Sequence, residues 1–301
     1  MRRREGTGRS REEDWSLSAV ALVHYDGDMK RALTEAVKLI GGFGVLSSPV
    51  IIKPNLCADV DVTGVATTRV QTVEARLHLL LEQDEALAVR IVESDSESKD
   101  AEAAFQKLGF TQLAARFTAA GFDVALVNLS QEPTAGVAWD GLYFKQPRLP
   151  TVLTEAGYVI SLAVPKTHSL TFVTGVMKNL FGLLPRKDQA IYHPQIHEVI
   201  VDLNRLIRPD LGVVDAVWGL EGVLRGRPRR VDLVLAGRQP LAVDATMARI
   251  MGFDPERIRH LAMAAAHGLG SLRPPVVGMP LAAATVPFDP PRPVHAAALL
   301  A

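Results

Sequence analysis

The stretch "YVISLAVPKTHSLTFVTGVMKNLFGLLPRKD", residues 158–188, decides how the chain is read. Its first six residues form a mostly apolar run with β-branched Val159 and Ile160, long enough for a buried strand and free of charge. The chain then leaves that strand and places Lys166, Thr167, His168, Lys178 and Asn179 close together. Buried polar groups are costly unless they are paired or meet a ligand. A hydrophobic strand whose carboxyl end turns polar is the signature of an open α/β sheet, in which ligands gather where strands end.

The same pattern repeats on both sides of this segment. The runs "AVALVH" (19–24), "PVIIKP" (49–54), "AVRIVES" (88–94), "DVALVNL" (123–129), "LGVVDAVW" (211–218) and "VDLVLAG" (231–237) have strand length. Most are separated by amphipathic stretches of helical period, such as 28–42, 69–83 and 101–121. Strand, helix, strand in repetition predicts an α/β fold with a largely parallel, mixed sheet and helices on both faces. Residues 16–272 are expected to form one α/β domain; the segment "VAWDGLYFKQPRLP" (137–150) breaks the rhythm and reads as a hairpin or excursion, which could divide that domain into Rossmann-like halves, 16–135 and 150–272, around a central cleft. Residues 1–15 are charged and aperiodic, and are expected to be a disordered tail. Residues 273–301 are proline-rich and read as an arm lying on the surface or on a second copy of the chain, a route to a homo-oligomer.

Composition narrows the function. Lys plus Arg and Asp plus Glu both number 33, so no net field points to nucleic acid or an anionic membrane surface. Aromatic residues are 6% of the chain and do not alternate with basic ones, which argues against a single-strand nucleic-acid platform. No apolar run reaches transmembrane length. The single Cys57 excludes a disulfide within the chain and an intrinsic iron–sulfur cluster, and favours a reducing, cytoplasmic setting. No Gly-x-Gly-x-x-Gly follows a strand, and neither a Walker loop nor a Gly-x-Ser-x-Gly elbow occurs. "GGFGV" (41–45) follows a helical stretch and is a helix stop.

The residues after each strand supply the candidates. Lys53 and Asn55 follow one run, Glu93, Ser94 and Asp95 another, Lys166, Thr167 and His168 a third, and Asp215 with Glu221 a fourth. Lys53, Lys166 and Lys178 suit a carboxylate or phosphate, with Asn55 and Asn179 orienting it; the competing role for each lysine is a structural pair with an acid. Thr67 and Thr68 precede a helix, where they cap it or help hold the anion. His168 is the first candidate for acid/base work, with Asp95 or Glu221 beside it, against the simpler role of an imidazole bonded to a turn. Asp215 is assigned to substrate binding, and Asp244, inside an apolar helix, to a structural salt bridge. Asp202 and Asn204 are expected to tie their helix to the cleft. "HPQIH" sets His193 at a helix start and His197 four residues on, a spacing that can chelate a divalent metal with a third ligand from elsewhere.

Together, "IIKPN" (51–55), "ATT" (66–68), "ESDS" (93–96), the Lys-Thr-His and Met-Lys-Asn-Leu-Phe-Gly segments of 164–185, and the segments 200–222 and 233–255 resemble, in this order, the family known as domain of unknown function 362. Several members of that family carry an added ferredoxin-like module. This chain lacks its cysteines, so the redox role implied by those relatives would need an iron–sulfur or flavin partner. The family often shows glycine and aspartate at the third strand end, where this chain has Glu93-Ser94-Asp95. The expected function is an enzyme acting on a small anionic metabolite by acid/base chemistry, metal-assisted or not, of lyase, isomerase or group-transfer type. The alternatives are the redox component and a non-catalytic anion binder.

Overall fold

The computed structural model describes residues 18–57 and 64–292. The expectation for residues 1–15 lies outside the described residues. The strands are β1 (Val20–His24), β2 (Val50–Pro54), β3 (Val89–Glu93), β4 (Val124–Asn128), β5 (Thr134–Gly136), β6 (Arg148–Pro150), β7 (Tyr158–Ala163), β8 (Lys166–His168), β9 (Phe172–Thr174), β10 (Leu211–Gly222), β11 (Gly226–Gly237) and β12 (Val276–Gly278). The helices are α1 (Met29–Leu39), α2 (Val70–Leu81), α3 (Ala101–Lys107), α4 (Phe110–Ala119), α5 (Thr151–Thr154), α6 (Val176–Asn179), α7 (Ile196–Ile207), α8 (Pro240–Ile250) and α9 (Arg259–Ala266).

One sheet runs in the order β12-β1-β11-β10-β7-β2-β3-β4, with β8 and β9 attached beside β10. The contacts β10–β7, β7–β2, β2–β3 and β3–β4 are parallel, while β11 pairs antiparallel with both β1 and β10. This is the mixed, mostly parallel α/β sheet expected from the alternating runs. All six residues of β7 are buried, because both of its faces are covered. Each Val, Ile or Leu so buried contributes about 1.5–3 kcal/mol.

The covering helices segregate by position in the chain. On one face, α1 to α4 pack on Val50, Ile52, Ile91, Ile160 and Val213; on the other, α7, α8 and α9 pack on Ile51, Val92, Val159 and Val214. Strands from both sides of residues 137–150 nevertheless share the one sheet, β1 lying beside β11 and β7 between β10 and β2. The 137–150 segment is an excursion closed by the separate β5–β6 pair.

Local chemistry accounts for the elements. Asp28 caps α1 by accepting from Arg31 N at 3.0 Å, and the stripe Met29, Ala32, Leu33, Ala36, Val37 is buried. Gly41 and Gly42 end that helix with φ of 79° and 83°, in the left-handed region that glycine enters at no steric cost. Of the proline-rich arm, residues 273–292 are described: β12 pairs parallel with β1, and Phe288 is buried. Among the described residues no helix is long and apolar enough to cross a membrane.

Candidate functional site: a lysine-lined cleft

A cavity of about 280 Å³ lies where β2, β3 and β8 end. Lys53, Asn55, Lys166, His168, Lys178, Asn179 and His193, all singled out from sequence, line it. Glu93, Lys99, Cys57, Thr174 and Gln189 line it too. Strand alternation decides part of this division, because β8 presents Lys166 and His168 on the same side and Thr167 on the other. Thr167 is buried and does not line the cavity.

The floor is an ion-paired cluster. Lys53 Nζ donates to Glu93 Oε2 at 2.7 Å and to the Pro54 carbonyl at 2.5 Å. Lys99 Nζ lies 3.4 Å from the other oxygen of Glu93 and donates to Ser94 O at 2.7 Å. Two lysines therefore share one buried carboxylate. Burial pulls the Lys53 ammonium below its ordinary value, and Glu93 opposes that pull. Gly182 roofs the cluster, where an added Cβ would stand 2.8 Å from Glu93 Oε1 and 2.9 Å from Lys53 Cε. Only a residue without a side chain fits that approach.

The walls differ. Lys166 Nζ donates to Ala66 O at 2.9 Å and Asn55 Oδ1 at 3.2 Å, and lies 3.2 Å from Cys57 Sγ. No carboxylate among the described residues faces it. Lys178 Nζ stands 5.2 Å from the centre of the Phe181 ring, and burial followed by the Lys166 charge lowers it to about 8. His168 Nδ1 accepts from the backbone N–H groups of Leu170 at 3.1 Å and Thr171 at 3.4 Å. Burial first, then Lys178 and Lys166, holds this imidazole far below the ordinary histidine range. It is neutral, with its proton on Nε2, because Nδ1 is taken as an acceptor. His168 can thus donate a hydrogen bond but is not set up as a base, a correction to the expected acid/base role.

Asn179 also has a different task from the one expected. Its Nδ2 donates to Lys53 O at 2.9 Å, Ser161 Oγ at 3.0 Å and Leu162 O at 3.2 Å, tying α6 to β2 and β7. Asp244, expected to form a salt bridge, has no cation on it among the described residues. It accepts from Val176 N at 2.6 Å and Met177 N at 2.9 Å, so it holds the N-terminus of the helix that carries Lys178 and Asn179. Burial raises it to about 7 against the pull of those two N–H groups.

Several sequence candidates lie away from the cleft, each for a visible reason. Asp95 accepts from Ala101 N at 2.9 Å and Asn128 Nδ2 at 3.2 Å, closing the loop before α3; the strand's own last residue, Glu93, reaches the cavity instead. Asp215 is inside β10, which continues to Gly222, and it faces α2: Arg69 forks onto it at 2.8 and 3.0 Å, and Thr72 Oγ1 donates at 2.5 Å. Glu221 is held by Arg227 at 2.6 and 3.1 Å on the β10–β11 hairpin, and that guanidinium keeps it below the usual carboxylate range. Thr68 accepts from Asn55 N at 2.8 Å and donates to Leu162 O at 2.9 Å; the cap position of α2 is Arg69, so neither threonine caps it. Thr67 and Thr68 border a second concavity, beside Arg69. Asp202 accepts from Leu142 N, Tyr143 N and Phe144 N, anchoring the excursion rather than the cleft, while Asn204 reaches Met177 O at 3.1 Å.

The proposed metal pair does not form. Pro194 belongs to a 3-10 turn, Gln189–Gln195, and α7 starts only at Ile196, so His193 and His197 are not successive turns of one helix. His193 stacks on Phe181 with centroids 6.2 Å apart, and His197 stacks on His260 at 5.9 Å. Among the described residues no group of three or more His, Cys, Asp or Glu side chains is arranged to hold a metal ion.

Cys57 was not expected in the cleft, and Glu93, although named at its strand end, was given no role there. Each had a signal: Glu93 is the terminal residue of a strand, and the chain's sole cysteine follows Asn55 by two positions.

Fold and cleft together define an α/β protein with a cationic concavity at the carboxyl edge of its sheet. The model of the family described as domain of unknown function (DUF362) matches residues 50–249, and the chain belongs to that family. A thylakoid-associated protein of Synechocystis sp. is 28% identical over 260 residues, 82% of this chain and 78% of that protein. Among solved structures, the lactate racemase apoprotein of Thermoanaerobacterium thermosaccharolyticum is similar over 81% of this chain at 9% identity and a TM-score of 0.46; the chain spans 59% of that protein.

Proposed function

We propose that the chain binds a small carboxylate- or phosphate-bearing metabolite between Lys166, Lys178 and His168 and moves a proton on the carbon beside its carbonyl, an isomerase- or lyase-type reaction. The charge of the cavity wall carries this reading. Lys53, Lys99, Lys166 and Lys178 line the cavity against Glu93 and the exposed Glu97. Glu93 is shared by Lys53 and Lys99, which leaves Lys166 and Lys178 without a carboxylate among the described residues. Two such cations around a small concavity favour an anionic guest.

In this reading Lys166 holds the anionic group. His168, a neutral donor through Nε2, stabilises negative charge developing on the carbonyl oxygen. Lys178, at about 8, is the base, because a group whose pKa lies near the working pH transfers protons most effectively. The lone Cys57 supports a reducing, cytoplasmic setting.

The test is deuterium exchange. The protein is incubated in heavy water with 2-hydroxy acids, 2-oxo acids and phosphate esters, and incorporation beside the carbonyl is followed by NMR. A substrate should exchange with a kcat/KM that rises through pH about 8. Lys178→Met should lower the rate by about 100-fold or more with the fold intact. Lys166→Met should weaken ligand binding by about 1.5–3 kcal/mol, the range for a charge-assisted hydrogen bond. If none of these anions raises the melting temperature and none exchanges, the reading falls.

A further inference from the structure

We propose that Cys57 is a nucleophilic thiol of the cleft, forming a covalent bond to an electrophilic carbon of the anion held by Lys166 and Lys178. The inference rests on the anion-binding reading and adds a bond-forming group to it. Cys57 is the one cysteine of the chain, is partly exposed and lines the same cavity as both lysines.

Its neighbours suit such chemistry. Lys166 Nζ lies 3.2 Å from Sγ, and the lysine is buried with no carboxylate among the described residues to occupy it. A cation is therefore already in place beside the sulfur when it attacks. Sγ also lies 3.2 Å from Ala66 O, which accepts from the same ammonium.

Asn55 points to a ligand independently. Its Oδ1 must face Lys166, a pure donor, and this sets the orientation of the amide. Nδ2 is then left buried with no acceptor among the described residues, on a residue that lines the cavity and is 5% exposed. A buried amide N–H without an acceptor is costly, and an oxygen of the bound anion would supply one. An ammonium, an unused N–H and a thiol thus border one cavity. In the step itself sulfur attacks carbon, the carbon's leaving group departs with the bonding electrons, and the thiol proton passes to solvent. No oxidant or reductant is needed.

Iodoacetate and iodoacetamide test this directly, since they are alike in size and leaving group and differ in charge. With a single cysteine, one adduct by mass identifies the site. Relative to a cysteine peptide, native protein should prefer iodoacetate by about 10-fold or more, the low end of electrostatic steering into a charged cleft. Inorganic phosphate should slow the reaction, Lys166→Met should erase the preference, and Cys57→Ser should yield no adduct. If Lys166→Met does not fold, Lys178→Met should erase the preference in its place. The proposal is overturned if native protein resists both reagents while unfolded protein takes up both. It is also overturned if phosphate raises the melting temperature yet leaves alkylation and its charge preference at the peptide's values, an outcome that keeps the anion site and removes the thiol from it. If phosphate neither stabilises the protein nor slows alkylation, and no charge preference appears, the anion reading itself fails.

Discussion

Lys53 and Lys166 are both fully buried lysines of the cleft, and what faces each sets its role. Lys53 meets Glu93 at 2.7 Å, whereas among the described residues Lys166 meets only neutral groups. Removing Lys53 leaves Glu93 buried with only the more distant Lys99, so Lys53→Met should destabilise the protein by about 3–5 kcal/mol, the cost of breaking a buried pair. Lys166→Met and Lys178→Met remove cations that no described carboxylate compensates, and should change stability by less than about 1 kcal/mol while weakening anion binding. Urea unfolding of the three variants separates the two classes; equal losses would mean that Lys166 and Lys178 are structural. The sequence brought all three lysines to the same cleft, because Lys53 and Lys166 stand at strand ends and Lys178 at the loop-to-helix junction beyond them. It did not distinguish them, since Glu93 meets Lys53 across 40 residues of chain and only strand order makes them neighbours.

At the scale of elements, α6 is four residues long and too short to be stable by itself. Asp244 from α8 holds it by accepting from two of its first N–H groups, and Gly175 leaves room for that carboxylate, since a Cβ there would collide with Asp244 Oδ1. Asp244→Ala should therefore cost about 1–3 kcal/mol of stability, the price of unsatisfied buried N–H groups, and should also weaken anion binding, because Lys178 sits on the helix thus released. Calorimetric titration with phosphate alongside thermal unfolding measures both; a stability loss with unchanged affinity would show that α6 stays in place without its cap. From sequence, an acid in an apolar helix signalled that a partner was required. Its identity as backbone N–H groups 67 and 68 residues away was not legible there.

For the whole molecule the buried histidines set the response to acid. His260 is fully buried and lowered to about 3 by burial, with His197 and Lys178 adding to the effect, and His168 is held lower still. Their folded values lie below the ordinary value of 6.5, so below that pH the unfolded chain binds protons that the folded one refuses. Stability is fully present above pH 6.5 and is lost as pH falls toward the folded values. Asp244 acts in the opposite sense between 3.8 and about 7, where the folded state binds the extra proton. His260→Phe should therefore reduce the slope of unfolding free energy between pH 5.5 and 4.5 by about 1.4 kcal/mol per pH unit, one proton's worth. Urea denaturation across that range checks it, and an unchanged slope would mean that His260 is protonated in the folded protein.

The sequence by itself determined the class of fold, because strand-length apolar runs alternating with amphipathic helices leave little besides a mostly parallel, doubly covered sheet. It also determined where to look, since strand ends are the places where a buried chain turns polar. Tertiary structure alone decided which polar residues work together. Asp215 pairs with Arg69 because β10 continues past it and turns that side chain toward α2; Glu93 pairs with Lys53 because β2 and β3 are adjacent; and His193 parts from His197 because a 3-10 turn precedes α7. Spacing along a chain reports on neighbours within one element. Charge compensation runs between elements, over distances in sequence that no local period encodes.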